Sequence, residues 1–245
     1  MGGKVAIVIP IHKNILNSNE RISLKRCFEV FSHYPIILAI PQGLDCTPFN
    51  EFGNFTSEVR FPDHFFASEI GYNKLMCLSR FYKKFLEYEY ILIYQLDTFV
   101  FENNIDSWCK SGYDYIGAPW IESSWVNASF STSRLRRFLH TRLNLVGNGG
   151  LSLRKVISSY KAARIFRPFA GLFKHEDFFW SNFVTRFKRS FRTAPVEEAL
   201  KFAFEEHPKK LFERNNGLLP FGCHSWEKFD TDFWRVHFAR YGHMI

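Results

Sequence analysis

The chain has 245 residues, 46% of them hydrophobic and 18% aromatic, which supports one large core and excludes a disordered, collagen-like or disulfide-stapled chain. Lys and Arg number 32 against 24 Asp and Glu, and the resulting net charge of +8 suits an anionic partner: nucleic acid, an acidic membrane surface or a phosphate-bearing substrate. The cysteines, Cys27, Cys46, Cys77, Cys109 and Cys223, are scattered without a CxxC pair. They predict neither a disulfide framework nor a zinc knuckle, and they fit a reducing compartment.

In chain order, Lys4 to His12 is β-branched and stopped by Pro10, the pattern of a buried parallel strand whose carboxyl end falls at Pro10 to His12. This run lacks a small-residue cleavage site and so is not read as a signal peptide. Ser23 to Tyr34 has helical spacing, Pro35 to Pro41 is a second buried strand and Gly43 to Asn54 is a loop, so the chain opens as a βαβ unit. Tyr72 to Tyr88 predicts one helix with a single apolar face. Glu89 to Val100 is the strongest strand, apolar on both faces yet carrying Gln95 and Asp97 near its end. Tyr113 to Gly117 is a further strand, and Glu122 to Leu145 reads as a surface loop or lid with a basic amphipathic stretch at Ser133 to Arg142. Gly147 to Gly150 is a turn, Leu151 to Arg154 a strand and Lys155 to Ala163 a helix. His175 to Trp180 opens another helix, Val196 to Glu205 forms one more, and Gly222 to Trp226 lies in a loop. No run of about 18 apolar residues predicts a membrane span. With no repeat or linker, one domain is expected: residues 1–120 as a nucleotide-binding half, 121–146 as the lid and 147–245 as an acceptor-binding and catalytic half.

A carboxylate at the end of an apolar strand is costly unless a cation or donors compensate it, which singles out Asp97. A lone Asp there more often caps the next turn. Glu176 and Asp177 sit at a helix start, where capping and the helix dipole also favour acids. His224, in a small-residue loop, is weak evidence by itself. The glycines flanking Asn148 either make a tight turn or let the backbone approach a ligand.

Order and company decide among these readings. The stretches Val8-Ile-Pro-Ile-His12, Gly71-Tyr-Asn-Lys-Leu-Met76, Tyr94-Gln-Leu-Asp-Thr-Phe-Val100, Asp114-Tyr-Ile-Gly-Ala-Pro-Trp120, Val146-Gly-Asn-Gly-Gly-Leu-Ser-Leu-Arg154 and His175-Glu-Asp177 resemble those of GT-A-fold, nucleotide-sugar-dependent glycosyltransferases, including a group of bacterial and viral members. The resemblance covers nearly the whole chain. The β-1,4-galactosyltransferases present similar pieces in the same order.

The resemblance implies an α/β, Rossmann-like GT-A fold with a central, mostly parallel sheet flanked by helices. It also implies donor contacts at Pro10, His12, Asn73, Lys74, Gln95, Asp97, Trp120, Asn148, Gly149 and Gly150. Asp97 and His224 would be ligands of Mn²⁺ or Mg²⁺, Asp177 the catalytic base and Glu176 an orienter of hydroxyls. Gln95 departs from the usual Asp-X-Asp motif, leaving one acid in Gln95-Leu96-Asp97. The implied reaction is transfer of a hexose, with a UDP-sugar favoured as donor, to a glycan or lipid-linked glycan, with inversion. Basic residues would help to hold the diphosphate. A cytoplasmic location is expected, with peripheral contact to an anionic membrane through the 133–142 stretch. A nucleotidyltransferase acting on a sugar phosphate is the alternative, and a basic nucleic-acid-binding module ranks third because it explains neither Asp97 nor the acidic pair.

Overall fold

The computed structural model describes residues 5–121 and 145–245. The expected lid and its basic stretch therefore lie outside the described residues, apart from Ile121 and the 145–146 end. Strand β1 (Val5–Pro10), helix α1 (Ser18–Phe31), β2 (Ile36–Pro41) and β3 (Ser57–Phe61) open the chain. Helices α2 (Glu69–Met76) and α3 (Ser79–Lys83) lead to β4 (Tyr90–Tyr94), and β5 (Thr98–Val100), α4 (Ile105–Lys110) and β6 (Tyr115–Ile116) follow. After β7 (Leu151–Lys155) and α5 (Val156–Ile165) comes α6, a helix running through Glu176–Phe178, a π-helical Phe179–Val184 and Thr185–Phe187. Helix α7 (Val196–Phe202), β8 (Ala203–Phe204), α8 (Pro208–Arg214), β9 (Gly222–His224) and α9 (Thr231–Phe238) complete the described order.

The main sheet has the order β3-β2-β1-β4-β7-β6. Its first four strands are parallel, and β7 runs antiparallel to both β4 and β6. Because side chains alternate along a strand, Ile7 and Ile9 join Leu24, Cys27 and Phe31 of α1 on one face, while Ala6, Val8, Ile91 and Ile93 pack on the other against Phe81, Val156 and Phe179. A second sheet, β5-β9-β8, is cored by Phe99, Phe204, Cys223, Trp226, Trp234 and Phe238. The five cysteines are buried and unpaired, as expected.

Several boundaries move, each for a local reason. Helix α1 begins at Ser18 rather than Ser23, because Asn17 and Glu20 form a reciprocal capping box. The helix expected over 72–88 divides at Cys77: the Met76 carbonyl accepts from the Tyr82 hydroxyl at 2.8 Å and from Trp180 Nε1 at 3.2 Å. The strand expected over 89–100 also divides, since Gln95-Leu96-Asp97 turns out of the main sheet and begins the second one. Helix α7 ends three residues before Glu205, and β8 takes its place. The segment 222–226, expected as a loop, contains β9.

Candidate active site

The strand order reverses between β1 and β4, and in α/β sheets ligands enter beyond the carboxyl ends of strands at such a point. A cavity of about 450 Å³ lies there. Pro10, Ile11 and His12 line it from the end of β1, Gln95, Leu96 and Asp97 from the end of β4, and Ser68, Glu69 and Tyr72 from the start of α2.

The second sheet brings two further residues to Asp97. Thr98 of β5 pairs with His224 of β9, so Asp97 stands beside the imidazole. Phe204 of β8 pairs with Cys223, so Glu205 reaches the same ring from the other side. His224 Nε2 lies 3.0 Å from Asp97 Oδ1 and 3.1 Å from Gln95 Oε1, and its Nδ1 lies 3.0 Å from Glu205 Oε1. Ser225 donates to Asp97 Oδ2 at 3.3 Å, and Lys228 Nζ stands 3.8 Å from it.

Every neighbour of the imidazole so far named is an oxygen acceptor. Burial would discharge the ring, but Asp97 and Glu205 outweigh it and raise the His224 pKa to about 10. Burial would likewise raise the Asp97 pKa, but His224 and Lys228 hold this carboxyl well below the usual range.

Among the described residues no three His, Cys, Asp or Glu side chains form a metal-holding group. Asp97 and His224 are two such side chains, and the amide oxygen of Gln95 is the third donor. Neighbouring ligands of an octahedral cation held at roughly 2.0–2.1 Å stand about 3 Å apart, which matches the 3.0 Å and 3.1 Å separations. Glu205, on Nδ1, would leave Nε2 free to face a cation. The cavity's charge points the same way: Glu20, Glu69, Asp97 and Glu227 line it, and its one lysine, Lys13, pairs with Glu20 at 2.8 Å. Such a lining repels a diphosphate unless a cation lies between them. Among the described lining residues, Lys13 is the only Lys or Arg that could serve the expected role of holding the diphosphate.

The turn 147–150 connects this cluster to the acidic pair. The Gly150 carbonyl accepts from Gln95 N at 2.9 Å, and a side chain at Gly150 would run into the His224 ring. Asn148 adopts a left-handed φ of 66°, its Oδ1 accepts from Gly150 N at 3.0 Å, and its backbone N–H donates to Asp177 Oδ2 at 3.2 Å. Asp177 is partly buried. Desolvation, with Glu176 and Glu205 nearby, raises its pKa to about 7, despite backbone N–H donors at Phe178 and Asn148.

Glu176 is 3% exposed and gives both oxygens to Arg154, at 2.5 Å and 2.9 Å. Arg154 also donates to Tyr82 and to the Gly149 carbonyl. Glu176 is thus a strut beneath the turn, a different placement from the expected contact with hydroxyls. Asn73 donates to the Lys174 carbonyl at 2.9 Å, Lys74 is exposed and Trp120 packs on Gly147; none of the three lines the cavity. The structure therefore brings together Pro10, His12, Gln95, Asp97 and His224, with Asn148, Gly149, Gly150 and Asp177 attached through the turn. Tyr72, Glu205 and Arg154 were not anticipated. Only Arg154 left a signal, as a charge ending a strand of otherwise buried residues.

The sequence model of the family described as "Protein of unknown function (DUF5672)" matches residues 56–224. The chain belongs to this family. The match spans β3 to His224 and so includes Asp97, the turn, Asp177 and Glu205. No curated protein matches the sequence. Among solved structures, the chain is similar to mouse xyloside xylosyltransferase 1, at 9% identity and a TM-score of 0.52 over 91% of this chain and 97% of that one. It is also similar to core-mannan synthase A of Aspergillus fumigatus in its Mn/GDP form, at 8% identity and a TM-score of 0.51 over 80% of this chain and 71% of that one. The DUF5672 chain has the GT-A fold.

Proposed function

We propose that the protein is a metal-assisted glycosyltransferase that moves a hexose from a nucleotide diphosphate sugar, UDP-hexose in the favoured case, to a hydroxyl of a glycan or lipid-linked glycan. The observation that carries this reading is the convergence of His224 on Gln95 and Asp97, which line an acid-lined cavity at the strand-order reversal. The fold shared with a xylosyltransferase and a mannan synthase supports it. Asp97, His224 and Gln95 would hold Mn²⁺ or Mg²⁺, whose charge would offset that of the departing diphosphate. Glu205 fixes the imidazole's orientation from behind.

Asp177 accepts the proton of the acceptor hydroxyl as that oxygen bonds to the anomeric carbon. The bond from this carbon to the diphosphate oxygen breaks with its electron pair, releasing the nucleoside diphosphate. Attack opposite the leaving group inverts the anomeric carbon. Glu176 acts through Arg154 as a positioning residue, holding the turn that orients Asp177.

The test is calorimetric titration with UDP, GDP and CMP, each with Mn²⁺ or EDTA, for the wild type and Asp97→Ala. One nucleotide should bind with Mn²⁺ and lose that binding with EDTA or in Asp97→Ala. Binding of none overturns the reading. Release of pyrophosphate during turnover would assign nucleotidyl transfer instead.

A further inference from the structure

Positive charge is concentrated in one described segment that contributes nothing to the cavity lining. Residues 156–196 contain eight Lys and Arg against only Glu176 and Asp177, a net +6 within the chain's +8. Both acids point into the site: Glu176 pairs with Arg154, and Asp177 holds the 147–150 turn. The cations are therefore not neutralised from within their own segment.

Large apolar side chains share this surface. On α5 the exposed positions Ile157, Lys161, Arg164 and Ile165 recur at helical spacing, so apolar and basic groups alternate on one face. Beyond α5, Phe169 is 43% exposed, Leu172 75% and, from α6, Phe187 63%. The ring of Phe183 joins these parts, with its centroid 5.4 Å from Phe169, 4.9 Å from Phe173 and 5.0 Å from Phe187. Arg164, Arg167, Arg186 and Arg189, exposed and within three residues of Ile165, Phe169 or Phe187 in the chain, have no ion-pair partner among the described residues. A soluble surface ordinarily scatters such side chains singly; a contiguous apolar cluster ringed by one sign of charge marks an interaction site.

We infer that this face docks onto an anionic lipid bilayer, with Ile165, Phe169, Leu172 and Phe187 entering the interface and the surrounding arginines resting on the headgroups. Charge complementarity selects the occupant. A second copy of the chain, meeting this face with its own, would oppose arginine to arginine. An anionic bilayer supplies a uniform negative plane together with an apolar layer shallow enough for Leu172 and Phe187 to reach. The residues of this surface are different from those of the 133–142 stretch. It also has a bearing on the site: Leu172 and Asp177 belong to one continuous segment, tied to α2 through the Lys174 carbonyl. On the transferase reading, and resting on it, docking here presents the base to an acceptor carried in the bilayer.

The experiment is co-sedimentation of the full chain with vesicles of phosphatidylcholine alone and of phosphatidylcholine mixed with phosphatidylglycerol, at low and high salt. The comparison includes Leu172→Glu/Phe187→Glu, Arg186→Glu/Arg189→Glu and the milder Ile165→Ser/Leu172→Ser, in case a charged variant misfolds. The wild type should partition at least tenfold more strongly into the mixed vesicles, less so at high salt. Both apolar variants should lose that binding, and the arginine variant should lose the preference for anionic lipid. Nucleotide titration on the same preparations should be unchanged in all variants, which separates failure of docking from failure of the donor site. Absence of vesicle binding, equal binding to neutral vesicles, or variants that bind like the wild type overturn the inference. A concentration-dependent dimer abolished by Leu172→Glu/Phe187→Glu would assign the face to a second copy. Oligonucleotide binding that displaces vesicles would assign it to nucleic acid.

Discussion

In the role of base proposed for it, Asp177 carries two opposed demands. A base must be ionised to take a proton, yet burial and the nearby Glu176 and Glu205 resist its ionisation, placing the pKa at about 7. This value lies above the roughly 3.9 of an unfolded aspartate, so the folded chain binds the proton more tightly. The favourable contribution is complete below the unfolded value and is lost as pH rises to about 7, above which the ionised group is a standing cost. Asp177→Asn should therefore stabilise the protein by about 1 to 3 kcal/mol near pH 8 while leaving it little changed near pH 4. The same change should cut sugar transfer by about 10²- to 10⁴-fold. Thermal denaturation at the two pH values, alongside initial rates, checks both effects. Wild-type kcat/KM should climb tenfold per pH unit and level off above about 7. A profile flat from pH 5 to 8 would remove Asp177 from the role of base.

At the scale of elements, the 147–150 turn is where the two halves of the site meet. Gly150 has no room to withdraw from His224, because its carbonyl is held by Gln95 N at 2.9 Å. Gly150→Ala should lower stability by about 1 to 3 kcal/mol and abolish Mn²⁺-dependent nucleotide binding. Circular dichroism and the same calorimetric titration read the two effects separately, and unaltered metal dependence would contradict this placement of His224. Which elements could be read from the sequence depended on how they are buried. Strands β1, β2 and β4 are enclosed on both faces, so their apolar runs announced them and fixed Pro10, His12, Gln95 and Asp97 at the cavity. Strand β3 is an edge, and its Ser57-Glu-Val-Arg-Phe61 carries too few apolar residues to be recognised. Strand β9 is three residues long, and Gly222-Cys-His224 has no pattern that distinguishes it from a loop. Its identity comes from pairing with the distant β5 and the nearby β8, and Glu205, read from the sequence as the end of a helix, could not be anticipated beside His224 without that second sheet. Asn73 and Lys74 were assigned to the nucleotide by the resemblance alone; the capping bond from Gly71 N to Ser68 Oγ starts α2 before the expected Tyr72, and Tyr72 is the residue of this stretch that lines the cavity.

At the scale of the whole molecule, two sheets share one site and five thiols lie buried between layers. Burial raises the thiol pKa of Cys27, Cys77 and Cys223, leaving little thiolate to react. Ellman's reagent should therefore react slowly with the native protein and promptly with five thiols in guanidinium, and reductant should leave the Tm unchanged. A fast-reacting native thiol would contradict the packing. The pairing of Thr98 with His224 also governs when the site can exist. During synthesis, β1, α1, β2 and β4 can collapse as soon as they emerge, since their contacts are local or nearly so. Asp97 then waits at the edge of a half-built molecule until β8 and β9 leave the ribosome and close the second sheet over it. A chain stalled or clipped before residue 224 would keep much of its main sheet yet lack His224, so the cluster around Asp97 forms only after β9 has been made.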